Sequence, residues 1–125
     1  MIISTTHCLK DNKGTLTHEG EYSNKLRNGN GKEYYKDGKL KFEGIYLYNY
    51  KLKGKLYKYH IEFEGDFLFD NKWNGKGFDE NSNIIYELIN GNGKVKEYWG
   101  DGKRRFEGEY LNGKKWKRKR IFNIW

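Results

Sequence analysis

The stretch Phe106-Glu107-Gly108-Glu109-Tyr110-Leu111-Asn112-Gly113-Lys114-Lys115 holds an aromatic, Glu-Gly, an acidic or apolar residue, a second aromatic and a Gly/Asn/Lys turn. The same phrase stands at His18-Glu19-Gly20-Glu21-Tyr22, Phe42-Glu43-Gly44-Ile45-Tyr46 and Phe63-Glu64-Gly65-Asp66-Phe67, with a degenerate copy at Tyr86-Glu87-Leu88-Ile89. The copies start at 18, 42, 63, 86 and 106, in steps of 24, 21, 23 and 20 residues. A fixed period in the low twenties is the mark of a repeat architecture, each unit being too small to bury its own apolar face.

Within each copy the two aromatics and the central glycine fall on one face of a strand by the two-residue period. Leu40, Phe42, Gly44 and Tyr46 line up in this way, as do Ile61, Phe63, Gly65 and Phe67, and Arg104, Phe106, Gly108 and Tyr110. A glycine weakens a strand, so its recurrence implies a gain: the hollow it leaves lets a neighbouring aromatic lie flat against backbone. Burying one Phe is worth ~1.5–3 kcal/mol, while ordering backbone costs ~1–2 kcal/mol per residue. A lone twenty-residue hairpin therefore cannot stand, and stability must come from stacked neighbours.

Turn signals divide the strands. Asp11-Asn12-Lys13-Gly14 tolerates positive φ. Ser23 to Asn28 is expected to be a loop. Asp37-Gly38 and Asp101-Gly102 are expected two-residue hairpin turns, and Asn90-Gly91 another. Short return strands are expected at Gly31–Lys36, Lys55–Tyr59 and Gly77–Asp79, and the last strand at Lys117–Phe122. No segment shows helical periodicity. The expectation is one all-β array over 1–125: ten or eleven strands in an elongated, twisted, open antiparallel sheet, with an opening strand at 5–9 and an atypical basic cap at 114–125.

These residues resemble MORN repeats, whose pattern is aromatic-x-Gly-x-aromatic, a turn, then Asn/His-Gly-x-Gly. The second half stands at Asn28-Gly29-Asn30-Gly31, Asn74-Gly75-Lys76-Gly77 and Asn90-Gly91-Asn92-Gly93. The resemblance covers roughly 15–122 and implies a scaffold rather than a particular activity. Two departures matter. Leu88 stands where the phrase has Gly, so that copy should lack the hollow. Arg118 and Arg120 stand at the Gly positions of the last copy, which suits a charged cap against edge pairing or a decayed repeat.

Composition narrows the function. The chain has 125 residues, no Pro and no Ala, and aromatic content of 18%. Heavy use of Lys, Asn, Ile and Tyr suggests an AT-rich genome. The single Cys8 cannot form an internal disulfide, no Asn-x-Ser/Thr sequon occurs, and the N-terminus lacks signal-peptide character. The expectation is a cytoplasmic, non-secreted protein, peripheral to a membrane if attached at all. The net charge of +8 is concentrated at the C-terminal end, where 103–125 hold nine Lys/Arg against two Glu.

No catalytic, cofactor or metal constellation is expected. His7, Cys8, His18 and His60 fit no compact zinc spacing. Gly29-x-Gly31 and Gly75-x-Gly77 precede no helix and so are not phosphate loops. Asp70–Asn81 lacks the ligands of a calcium loop. Glu19, Glu43, Glu64 and Glu107 are expected to be solvated cross-strand partners of Lys. The residues singled out are the repeat-face aromatics Tyr22, Phe42, Tyr46, Phe63, Phe67, Tyr86, Phe106 and Tyr110, for packing or for a groove. The backbone-critical glycines are Gly20, Gly44, Gly65 and Gly108. The basic patch is Lys103, Arg104, Arg105, Lys114, Lys115, Lys117, Arg118, Lys119 and Arg120. The leading expectation is a non-enzymatic scaffold whose aromatic-lined groove takes another protein or a second copy, through sheet ends or edges. The alternative is an adaptor holding acidic phospholipid through the basic patch. Nucleic-acid binding, with Trp99, Trp116 and Trp125 stacking bases, ranks last.

Overall fold

The computed structural model describes residues 4–98 and 104–118, with side chains at 6–97 and 106–116. The described chain is all-β. The strands are β1 (Ser4–Lys10), β2 (Leu16–Ser23), β3 (Leu26–Tyr34), β4 (Leu40–Leu47), β5 (Tyr50–Tyr57), β6 (Ile61–Leu68), β7 (Asn71–Phe78), β8 (Ile84–Leu88), β9 (Gly93–Tyr98), β10 (Arg104–Leu111) and β11 (Lys114–Arg118). Strands β1 to β8 form one open antiparallel meander, and β9, β10 and β11 form a second sheet with β10 in the middle.

Three hairpin turns differ from expectation. Ser23–Asn28 is not a loop: β2 passes into β3 through the two residues Asn24 and Lys25, with φ of 51° and 68°. Tyr48-Asn49 and Phe69-Asp70 turn in the same way, at 47° and 75° and at 48° and 66°. Positive φ at both central positions is the type I′ requirement, which normally selects Asn and Gly. Here the turns are held from outside by the neighbouring hairpin. Asn49 donates its N–H to the Arg27 carbonyl at 2.9 Å, and its side-chain oxygen accepts from the Arg27 N–H at 2.8 Å. The Asp70 carboxylate likewise accepts from the Lys51 N–H at 2.8 Å.

Conversely, Asp37-Gly38 is not a two-residue turn. It lies in the five-residue connection Tyr35–Lys39, where Tyr35 N–H bonds to Lys39 C=O and the Asp37 carboxylate takes the Lys39 N–H. Asp11 and Asp79 organise matching loops at the same edge, each accepting two backbone N–H groups. An Asp side chain that caps its own loop competes with the tight turn that Asp-Gly otherwise makes. Asn90-Gly91 is tight, as expected, with φ of 52° and 80°. Asp101-Gly102 lies outside the described residues.

The return strands begin earlier than expected, β3 at Leu26, β5 at Tyr50 and β7 at Asn71. β5 and β7 each run eight residues, and β11 begins at Lys114 rather than Lys117.

A row of glycines crosses the large sheet. Gly20 pairs with Gly31, Gly31 with Gly44, Gly44 with Gly54, Gly54 with Gly65, and Gly65 with Gly75. The approach inside each hairpin admits nothing larger. A Cβ on Gly44 would stand 2.1 Å from the Lys53 carbonyl oxygen and 2.7 Å from the Gly54 Cα. Aromatic rings lie along this row: the Phe42 ring edge is 2.9 Å from where a Gly54 Cβ would be, and the Phe63 edge 2.7 Å from that of Gly75.

The row ends at Leu88, which pairs with Gly75. There the regular ladder stops, and only an isolated bridge between Ile89 and Asn92 joins β8 to β9. The lost hollow expected at this copy thus coincides with the division between the sheets. Leu88 is 1% exposed and belongs to the core with Phe42, Tyr46, Phe63, Phe67, Tyr86, Val95, Phe106 and Tyr110.

Candidate interaction surface

The repeat-face aromatics are packed rather than open. Phe42 and Phe63 are fully buried, and Tyr46, Phe67, Tyr86, Phe106 and Tyr110 are nearly so. They contact one another edge to face, Phe42 with Tyr46 at 5.4 Å and with Phe67 at 5.6 Å, Phe63 with Phe67 at 5.5 Å. Such pairs contribute ~0.5–1.5 kcal/mol beyond their area. Tyr22, half-buried, meets the His7 ring at 5.1 Å.

A cation covers each aromatic pair; of the four, the sequence reading singled out Lys115 alone, as part of the basic patch. Arg27, Lys51, Lys72 and Lys115 each follow a tight turn and stand opposite the second aromatic of their hairpin. Arg27 lies over Tyr46, Lys51 over Phe42, Lys72 over Phe63 and Tyr86, and Lys115 over Phe106, at 5.0–5.7 Å from the ring centres. The charged heads lie over the rings, and those of the three lysines also meet carboxylates. Lys51 pairs with Glu33 at 3.5 Å. Lys72 pairs with Glu97 at 2.7 Å and Glu62 at 3.5 Å, and Lys115 pairs with Glu97 at 3.5 Å. The signal that could have found these cations was a basic residue two or three positions after every turn.

Charge follows geometry in this layer. Burial alone would push the Lys72 ammonium down, but the Tyr86 hydroxyl and the Glu97 and Glu62 carboxylates outweigh it and hold its pKa above the ordinary value. Burial would raise Glu33, yet Lys51 and Lys41 bring it below the usual carboxylate range. Burial pushes Tyr86 up to about 12.

The opposite face carries a second regular row. Glu19, Lys32, Glu43, Lys55, Glu64, Lys76 and Glu87 stand side by side across seven strands with alternating sign. Glu107 lies opposite Lys96 in the small sheet, 3.7 Å away. Two of the four repeat glutamates differ from the expectation of lysine partners alone. Glu19 accepts from the Tyr34 hydroxyl at 2.5 Å and Glu43 from the Tyr57 hydroxyl at 2.6 Å. The bond to Glu19 raises Tyr34 to about 12, and burial followed by the bond to Glu43 raises Tyr57 to about 12.

Exposed apolar side chains gather at the tight-turn edge. The residue before the turn is Leu47, Leu68, Ile89 and Leu111 in successive hairpins, and each is 41% exposed or more. Tyr48, Tyr50, Phe69 and Trp116 stand beside them, Tyr50 and Phe69 with ring centres 5.4 Å apart. This row also escaped the sequence reading, although its period of 21, 21 and 22 residues is visible in the chain.

Of the basic patch, Lys114 is exposed on β11, while Lys115 reaches back to Phe106 and Glu97. Lys114 and Lys115 border a cavity of about 670 Å³ with Leu68, Phe69, Trp73, Leu111 and Trp116. Arg104 and Arg105 lie on β10, and Lys117 and Arg118 on β11, with Arg118 opposite Gly108. Lys103, Lys119, Arg120, Trp99, Trp125 and most of the cap lie outside the described residues.

The candidate zinc ligands do not converge: among the described residues no group of three or more His, Cys, Asp or Glu gathers to hold a metal. No helix among them is long and apolar enough to cross a membrane. No protein-family model, curated protein or solved structure matches the chain.

Proposed function

We propose that the chain is an array of MORN-type hairpins that serves as a non-enzymatic protein-interaction module, held in the cytoplasm. The observation that carries this reading is the apolar row Leu47, Leu68, Ile89 and Leu111 with Tyr48, Tyr50, Phe69 and Trp116. Contiguous apolar surface of this kind on a soluble domain marks a contact site. The repeat places one apolar position on each successive turn, so the surface grows with the array. The buried aromatic face supplies stability, and the turn edge supplies contact. The partner is another protein or a second copy of this chain.

A membrane-surface role is the second reading. Trp116 is 64% exposed beside Lys114, with Leu111 and Phe69 close by. An aromatic rim with lysines suits an anionic interface.

The test compares the wild type with two variants, each checked for a native circular dichroism spectrum. One carries Leu68→Ser, Phe69→Ser and Leu111→Ser. The other carries Lys117→Ser and Arg118→Ser. Partners cross-linked in cells and held at raised salt should be lost from the first and kept by the second. Binding to anionic vesicles, lost from the second and absent with neutral vesicles, would replace the protein-interaction reading with the membrane one.

A further inference from the structure

A cavity of about 1030 Å³ lies at the other edge of the large sheet, between the β3–β4 loop and the end of β5. It is lined by Tyr34, Tyr35, Tyr57 and Tyr59 and by Lys36, Lys39, Lys41 and Lys58 with Asp37; of these lysines, Lys41 pairs with Glu33 at 3.3 Å. The sequence reading assigned no role to these residues, because the near-neutral charge of the repeat region hides a local excess of cations.

Three of the four rings are fixed by their hydroxyls. Tyr34 donates to Glu19 at 2.5 Å, Tyr57 to Glu43 at 2.6 Å, and Tyr35 to the Tyr57 carbonyl at 2.6 Å. Lys41 Nζ lies over the Tyr35 ring at 5.6 Å. Tyr59 differs. It stands at φ 67° in the turn that the Lys58 N–H closes on the His60 carbonyl, much as Tyr48 and Phe69 do in theirs, and is 74% exposed. Lys39 Nζ lies over the Tyr59 ring, 4.7 Å from its centre, so a base would stack on the face that Lys39 does not cover.

We propose that this cavity is a nucleotide site, in which an unpaired base stacks on Tyr59 and its phosphate meets Lys36 and Lys39. Aromatic faces beside lysines are sufficient for sequence-tolerant base binding, since every base has a π-face and every phosphate a charge. A peptide added as a strand would need main-chain partners as well. The backbone N–H groups of Tyr35, Gly38 and Lys58 are bonded inside the loops, and that of Lys39 goes to Asp37. The nucleotide is either free or one residue of a single strand, and the chemistry at the site is the same.

The test titrates the full chain with AMP and, separately, with a short oligoadenylate at low ionic strength, following the ring resonances of the tyrosines. Two variants probe the site: Tyr59→Gly, and Lys36→Ser with Lys39→Ser. Glycine suits the φ of residue 59, so loss of binding in Tyr59→Gly does not come from loss of fold. Binding should weaken about tenfold or more in Tyr59→Gly, as expected for one lost stacking contact, should weaken and lose its salt dependence in the lysine variant, and should be unchanged by Lys117→Ser with Arg118→Ser. Binding of AMP would identify a free nucleotide as sufficient, and binding of the oligoadenylate alone would identify a single strand. Failure of both ligands to bind, or binding indifferent to Tyr59→Gly, overturns the proposal. Tighter binding of a glutamate–tyrosine copolymer at the same rings also overturns it, in favour of an acidic peptide.

Discussion

Lys72 Nζ on β7 lies 2.7 Å from Glu97 Oε2 on β9, so one ion pair ties the eight-stranded sheet to the three-stranded one. It does so where backbone pairing has lapsed to the bridge between Ile89 and Asn92. The Glu97 side chain is 1% exposed, and it also accepts from the Tyr110 hydroxyl at 3.1 Å. Removing one partner of a buried pair costs about 3–5 kcal/mol where nothing else meets the charge left behind, whereas an apolar replacement of both is far milder. Glu97 keeps Lys115 and Tyr110, so Lys72→Met should lower the urea midpoint by less than that full cost, and Lys72→Met with Glu97→Leu should recover part of the loss. A double-mutant cycle checks this. Additive single effects would mean that the pair does not couple the sheets.

The glycine row predicts steric intolerance that depends on position. Gly44→Ala places a methyl 2.1 Å from a carbonyl oxygen of the facing strand. Overpacking of this kind costs about 1–3 kcal/mol and bends the backbone. Gly38 has positive φ but nothing within 4 Å of its would-be Cβ. Gly38→Asn should therefore be nearly neutral, since Asn tolerates that conformation. Thermal unfolding of both variants tests whether close approach, rather than turn geometry, is what the repeat glycine serves.

Leu88 shows where the repeat phrase was legible and where it misled. Four Glu-Gly copies and one degenerate copy sufficed for an open antiparallel sheet, because period and pleat are local properties of the chain. Leu88 departs from the phrase, and departure alone does not say whether the side chain is a defect or a core residue. Its 1% exposure makes it core. Leu88→Gly, which restores the phrase, should destabilise, and Leu88→Ala should cost about 2–5 kcal/mol.

What stayed illegible depends on contacts between hairpins. Tyr48-Asn49 and Phe69-Asp70 carry no Gly, so their tight turns follow only from bonds donated or accepted one hairpin away. The cations over the rings were hidden for the same reason. In sequence, Lys51 and Lys72 look like solvated surface lysines, and their burial depends on glutamates two strands or more distant.

High pH should unfasten the tyrosine contacts. Tyr34, Tyr57 and Tyr86 titrate at about 12 in the folded chain, against roughly 10 for an unfolded tyrosine. The folded state thus holds these protons more tightly. The stability they contribute is complete below pH ~10 and falls as pH rises towards 12. Tyrosinate absorbance should show part of the eleven tyrosines ionising late, and the urea midpoint should fall over the same interval. Tyr57→Phe keeps the ring and removes the hydroxyl bonded to Glu43, so it should diminish that fall. A midpoint that is flat across this interval would contradict the assignment.

The asparagine that opens Asn-Gly-x-Gly couples one hairpin to the next. Asn28 Oδ1 accepts from the Tyr48 N–H at 3.3 Å, and Asn74 Oδ1 accepts from the Asn90 N–H at 2.8 Å. In the copy Asn90-Gly91-Asn92-Gly93 it is the third residue that does this: Asn92 Oδ1 accepts from the Asn112 N–H at 3.0 Å, next to the small sheet. Each bond satisfies a turn N–H that the turn itself leaves open, for a net gain of about 0.5–1.5 kcal/mol. In a linear array such terms sit at interfaces between neighbours, so their loss uncouples rather than unfolds. Asn74→Ala should raise hydrogen exchange at Asn90 while leaving exchange at Tyr48 unchanged. Asn28→Ala should do the reverse. Equal acceleration at both turns in either variant would show that the hairpins open together, and that these asparagines are not local fasteners.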